Sequence, residues 1–223
     1  MAEQLTFTLP AKVALGREDY FVSDANAVAV AVIEDWPNWP QGKLVLAAPS
    51  GAGKTHLAMV WAAEAGAQTA AARILADPET LATGPRVVED IDQIAGNRAA
   101  ETQLFHLHNL MAERGHPLLM TSAIAPARLE LALPDLRSRL EATALASLDA
   151  PDDMLLTALV VKLFSDRQIA LKPEVLSYAL PRLPRSFAAA RRFVERMDAR
   201  ALAEKKTPGR GLARAVLDEI ADG

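Results

Sequence analysis

The 223-residue sequence contains no cysteine. That excludes disulfides and any thiolate metal site, and it fits a reducing compartment. Long hydrophobic runs are missing too. The longest, from Ala25 to Ile33, is interrupted by Asn26 and falls far short of the ~20 apolar residues a membrane-spanning helix needs. Met1-Ala2-Glu3-Gln4 has no basic stretch leading into an apolar one, so no secretory signal is expected. A soluble cytoplasmic protein with no membrane partner is the resulting expectation. No internal repeat or low-complexity segment is present. Nor is there an excess of positive charge. The formal net charge is −4, with 11 Lys and Arg against 18 Asp and Glu up to residue 149, and 13 against 10 beyond it. Neither part carries the electrostatic footprint of a protein that grips DNA by itself. His106 and His108 lie two apart, so on a helix they diverge and cannot share one metal ion. What the chain does have is apolar material. At 51% hydrophobic residues it can bury a core as one domain or two small ones.

The stretch that organises the chain is Ala48-Pro49-Ser50-Gly51-Ala52-Gly53-Lys54-Thr55. It follows Lys43-Leu44-Val45-Leu46-Ala47, short and apolar enough for a buried strand, and it opens an apolar helical stretch from His56 to Ala65. A strand, a small-residue turn and a helix start are the context in which a phosphate-binding loop has physical meaning. Gly51, Ala52 and Gly53 let successive backbone N–H groups curl around an anion. The helix beginning near Gly53 adds its positive end. Lys54 can reach outer phosphates as a point charge, and the Thr55 hydroxyl can ligate Mg2+. The pattern G-x-x-x-x-G-K-[ST] is met except at its first position, which here is Ala48.

Around this loop the chain alternates. Tyr20-Phe21-Val22 precede a helix that Ser23 is expected to cap and that runs to Ile33. Trp36-Pro37-Asn38-Trp39-Pro40 ends it, because each proline excludes the helical conformation from the residue before it. Further strands are expected over 68–75, 86–92, 117–122 and 143–148. The third ends in Glu89, Asp90 and Asp92, at the strand's carboxyl end, where ligands bind in open α/β sheets. Between the third and fourth strands, residues 100–114 form a helix with Leu104, Phe105, Met111 and either Leu107 or Leu110 on its buried stripe. A polar–apolar helical turn spans 133–140. From Pro151 onward only helices are expected, over 152–167, 172–180, 186–203 and 212–220. Strands alternating with helices, then helices only, imply an α/β nucleotide-binding domain followed by a small helical one. The amino-terminal Gln4-Leu5-Thr6-Phe7-Thr8-Leu9 stays open to two readings, an edge strand or a docking peptide.

Gly53-Lys54-Thr55-His56-Leu57, the acid pair Glu89-Asp90 with Ile94-Ala95-Gly96 behind it, Thr121-Ser122 and Ser138-Arg139-Leu140 together resemble the AAA+ domain of the bacterial replication initiator DnaA. The likeness runs from about Tyr20 to the last helix. DnaA continues into a basic helix-turn-helix domain and this sequence does not, so the expected match is with the short regulatory inactivators of DnaA in that family, of the alphaproteobacterial type. The resemblance implies three parts. Residues 1–12 would be a peptide for the sliding clamp of DNA polymerase III, 13–149 an AAA+ α/β domain with a five-stranded parallel sheet, and 150–223 a helical lid.

Site roles follow from the same resemblance. Gln4, Leu5 and Phe7 would contact the clamp, which displaces the edge-strand reading. Phe21, Val22 and Asn26 would contact an adenine base. Ser50 to His56 would hold the phosphates of ADP or ATP. Glu89 and Asp90 would be the catalytic acid pair, with Thr55 and Glu89 holding Mg2+. Arg185 would sense the phosphates from the lid. Arg139 would be an arginine finger directed at ATP on DnaA. DNA would be an indirect partner, and self-association is left open. Three positions depart from the pattern. Ala48 replaces a loop glycine. Glu89 stands in for Asp, where an extra methylene displaces an oxygen from an octahedral site. Ala123 removes a polar side chain that could orient water. The expectation is a bound nucleotide with weak intrinsic hydrolysis. The alternatives are a self-assembling ATPase of the helicase-loader kind and a non-enzymatic adaptor for the clamp or DnaA.

Overall fold

The computed structural model describes residues 21–204 and 207–221. Gln4, Leu5 and Phe7 lie outside the described residues. The elements run α1 (Ala27–Glu34), β1 (Lys43–Ala47), α2 (Lys54–Ala65), β2 (Gln68–Ala71), α3 (Pro78–Leu81), β3 (Arg86–Glu89), α4 (Arg98–Glu113), β4 (Leu118–Ser122), α5 (Pro134–Glu141) and β5 (Ala144–Ser147), then α6 (Asp153–Asp166), α7 (Pro173–Ala179), α8 (Phe187–Glu204) and α9 (Arg210–Ala221). The five strands form one sheet in the order β2-β3-β4-β1-β5, and every pairing is parallel. A parallel sheet needs a crossover between its strands, and the intervening helices supply it.

Alternation along β1 shows how the layers form. Leu44 and Leu46 pack on one face with residues of α1 and α2. Val45 packs on the other with residues of α4 and α5. Successive strand side chains point to opposite faces, so an all-apolar strand must be covered twice. The helices after β5 bury a third core, centred on Leu156, Phe164 and Phe193. All three tryptophans serve one junction. Trp39 stacks on Trp61 at 5.2 Å and Trp36 meets it edge-on at 6.4 Å, which fixes α2 against the α1–β1 connection. On α4, Leu104, Leu107 and Met111 are fully buried, and Phe105 and Leu110 only partly. Among the described residues no helix is long and apolar enough to cross a membrane.

Some boundaries differ from the sequence expectation. Asn26, not Ser23, stands at the start of α1, because its side-chain oxygen accepts the Ser23 N–H (2.8 Å) and its amide donates to the Phe21 carbonyl (2.9 Å). The second strand stops at Ala71 and turns into a 3-10 segment over Ala72–Ile74. The third stops at Glu89, because Asp90 adopts a left-handed conformation (φ 57°) that no strand accommodates.

A buried polar chain runs beneath the amino end of the sheet. Lys43 and His108 are both almost fully buried, with Lys43 Nζ 3.2 Å from His108 Nδ1. His108 Nε2 lies 3.4 Å from Thr143 Oγ1, and that hydroxyl donates to the Arg139 carbonyl (2.8 Å). Burial, then the charges of Lys43 and Arg139, push the His108 pKa down from 6.5 to about 4. Burial, then Arg139, bring Lys43 down from 10.5 to about 8. Between pH 6.5 and about 4 the unfolded chain therefore binds a proton at His108 that the folded chain refuses. Stability is lost as pH falls through that window. Thermal melts of His108→Gln from pH 7 to pH 4 should fall less steeply than those of the unmutated chain. Parallel slopes would contradict a neutral, buried His108.

Candidate functional site

β1 is paired on both sides, by β4 and β5, so the loop that leaves its carboxyl end at Ala47 emerges in the middle of the sheet edge. Gly51 (φ 78°) and Gly53 (φ 93°) take backbone conformations that disfavour L side chains, and Gly53 is the residue before the first turn of α2. The same glycines admit the carboxy-terminal helices. A Cβ on Gly53 would meet the Phe187 ring at 3.2 Å, and one on Gly51 would meet Ser186 Cβ at 3.0 Å. The Phe187 N–H donates to the Gly51 carbonyl at 2.6 Å. The amino end of α8 thus rests directly on the loop.

Between loop and helix lies a cavity of about 680 Å³. Ser50, Gly51, Gly53, Lys54, Thr55 and His56 line it from the loop and α2, while Asp90, Asp92, Gln93 and Ala123 line it from the ends of β3 and β4. Phe187, Ala188, Arg191, Arg192 and Glu195 form the opposite wall. Ala52 is buried beneath the loop. Lys54 Nζ stands 3.9 Å from Asp90 Oδ1, a loose pairing that an entering anion can replace. The acid-bearing turn is pinned to β4 and the loop after it. The Asp90 N–H donates to Thr121 Oγ1 (3.0 Å), and the Ala123 N–H donates to Asp92 Oδ1 (2.8 Å). Thr55, Asp90 and Asp92 give this one cavity hard oxygen donors. Such a set suits Mg2+, which takes one or two carboxylates and completes its shell with phosphates and water.

Several residues singled out from the sequence stand elsewhere. Glu89 ends β3 half-buried and is not among the cavity's lining residues. Arg185 is exposed and paired with Asp153 at 2.9 Å, outside that lining. The lining arginines of the helical region are Arg191 and Arg192, one turn into α8. Their signal in the sequence was spacing: with Phe187 and Ala188 they recur at four residues, one face of a helix. Asp92 also went unassigned. Phe21 and Val22 are about half exposed, and Val22 borders a separate cavity of about 160 Å³ between α1 and α2, with Ile33 and Trp61. Asn26 is buried, its amide engaged with the backbone of Phe21 and Ser23.

Arg139 lies on α5, away from the cavity. Its carbonyl joins the Thr143–His108–Lys43 chain at the amino end of β1, whereas the phosphate-type loop leaves the carboxyl end, about 13 Å further along the strand at ~3.3 Å per residue. Arg139 is exposed and has no carboxylate partner among the described residues, Asp135 included. Arg137, two residues earlier, is paired with Glu141 at 2.9 Å.

No protein-family model matches the chain. The DnaA chromosomal replication initiator of Caulobacter sp. (strain K31) is 27% identical over 234 residues, covering 91% of this chain and 47% of that protein. The chain therefore spans about half the length of this relative. Domain III of Thermotoga maritima DnaA superposes with a TM-score of 0.81 at 18% identity, covering 95% of this chain and 98% of that one. This is the AAA+ fold, in the form taken by domain III of DnaA. A DnaA structure bound to AMPPCP and single-stranded DNA superposes over 89% of this chain and 66% of its own, with a TM-score of 0.72 at 18% identity. In the AAA+ fold of this chain the loop at 50–55 and the helix α8 enclose the cavity together.

The anion character of this cavity can be read by thermal shift. A ligand that binds only the folded state adds ~2.7 kcal/mol at a hundred times its dissociation constant. ADP should raise the melting temperature of the unmutated chain, and Lys54→Ala should lose most of that rise. Equal shifts in both would remove Lys54 from the site.

Proposed function

We propose that this chain is a nucleotide-bound regulator of replication initiation of the Hda type. It holds ADP or ATP with Mg2+ in its own cavity, docks on the sliding clamp through Gln4, Leu5 and Phe7, and presents Arg139 to the γ-phosphate of ATP bound by DnaA. The observation that carries the reading is the setting of Arg139. It is exposed, has no carboxylate partner among the described residues, and sits at the other end of β1 from its own loop. An arginine side chain extends roughly half the length of that strand at ~3.3 Å per residue, so any triphosphate it touches belongs to another subunit. A finger supplied in this way neutralises charge on the transferring phosphoryl group and is worth ~10³–10⁵ in rate.

Intrinsic turnover is slow in this reading. Ala123 contributes no polar side chain to the cavity, and its N–H is already committed to Asp92. DNA is an indirect partner, reached through the clamp, and the protein works in the cytoplasm. The single-stranded DNA and AMPPCP of the similar DnaA structure support nucleotide at this fold without assigning DNA contact to this chain.

Two measurements test the proposal. In single-turnover hydrolysis of ATP preloaded on DnaA, with DNA-loaded clamp present, Arg139→Ala should lose stimulation while keeping fold and nucleotide affinity. Lysine should rescue poorly, because a point charge does not reproduce a planar two-pronged contact. Arg137→Ala is the control and should stay active. Unimpaired stimulation by Arg139→Ala would leave an adaptor role in its place. Separately, Gln4→Ala with Phe7→Ala should abolish clamp binding, since a short peptide concentrates its binding energy in a few anchors. Clamp affinity unchanged by that pair would detach the segment from this role.

A further inference from the structure

Two polar residues of α4 have no part in the cavity, and both are buried. Glu101 has no exposed surface at all. Its carboxylate gathers three backbone N–H groups from two separate segments. Oε1 accepts from Gly96 (2.7 Å) and Ala132 (3.1 Å), and Oε2 accepts from Leu133 (2.7 Å). Leu133 is the residue before the first turn of α5, the helix that carries Arg139. Gly96 follows the 3-10 turn Ile91–Ile94, which brings Asp92 and Gln93 to the cavity wall. Seven residues on, hence on the same face of α4, His108 reaches Thr143 Oγ1, whose hydroxyl closes on the Arg139 carbonyl. One helix therefore grips α5 at its entrance and at its exit.

An apolar core needs none of this. A carboxylate withdrawn from water is tolerated only with its bonds complete, and here every bond goes to backbone at the boundary of α5 or of the acid-bearing turn. We propose that Glu101, with His108, is a positioning residue for Arg139: it fixes the register and tilt of α5 against the wall of the chain's own cavity, so that the guanidinium is held ready for a neighbour's phosphate. This rests on the finger reading above. Contacts made about one and about two turns from Arg139 matter because a misplacement of ~1 Å can lower a rate ~100-fold.

The test uses the full chain with DnaA, DNA-loaded clamp and ATP preloaded on DnaA. Glu101→Gln keeps the shape but turns an amide N–H₂ toward backbone donors. Measured well below its melting temperature, it should lower the maximal rate roughly ten- to a hundredfold, while the concentration giving half-maximal stimulation and the affinity for ADP stay within about twofold of the unmutated chain. Amide exchange at Ala132 and Leu133 should accelerate. The decisive readout is the double variant with Arg139→Ala. If Glu101 acts through Arg139, adding Glu101→Gln to Arg139→Ala changes nothing further; a general loss of structure would multiply. Should Glu101→Gln fail to fold, Glu101→Asp keeps the charge with a shorter reach and should give the same pattern, smaller in size. An unchanged maximal rate, or equal fractional losses in both backgrounds, overturns the proposal alone. Full stimulation by Arg139→Ala overturns the finger reading and this inference together.

Discussion

The burial of β1 on both faces and both edges is the constraint on which the rest depends. A five-residue strand with no exposed side chain has to be apolar nearly throughout, and its hydrogen-bonding groups have to be met by β4 and β5. Once that is satisfied, the residue after Ala47 has one way out, through the centre of the sheet's carboxyl edge. The loop that follows is delivered beside the ends of β3 and β4, which bring Asp90, Asp92 and Ala123. Lys43 shows the same constraint at the other end. It is the one charged residue of the strand, and its burial is met by His108 of α4, the helix covering that face of the sheet.

The glycines at 51 and 53 answer two demands at once. Their positive φ values shape the turn, and their missing Cβ atoms let Ser186 and Phe187 come within reach. A larger residue would disturb both the loop and the seating of α8. Loop conformation and the position of the helical region are therefore one variable.

Much of this was legible in the sequence. The central strands β1 and β4 announced themselves as short apolar runs, and the helices after Pro151 as amphipathic segments punctuated by Pro181 and Pro184. Errors came where a local signal had a competitor. Ser23 has the right chemistry to cap α1, but Asn26 reaches the preceding backbone from three residues closer to the helix. The run 68–75 is apolar enough for a long strand, yet β2 pairs only with β3 and stops when that partner ends. The acidic turn after Glu89 depends on a left-handed Asp90, which no propensity predicts. Arg185 matched a motif, but it stands outside the cavity lining, exposed and paired with Asp153 at the start of α6. Glu101 carried no signal in the sequence, and His108 only the exclusion of a metal ion shared with His106. Only the arrival of Ala132, Leu133 and Thr143 from elsewhere in the chain makes their burial tolerable.

The arrangement of charge along β1 then separates two kinds of work. At the carboxyl end, Lys54 faces acids at a loose 3.9 Å and an anion is accommodated by exchange of partners. At the amino end no carboxylate faces Lys43, His108 or Arg139 among the pairs described; burial first, and the neighbouring like charges second, hold the His108 pKa down to about 4 and that of Lys43 down to about 8. On α5, whose two ends are bonded to α4, the backbone that carries Arg139 is fixed as the chain folds. That part of the ordering belongs to the fold itself and needs no partner.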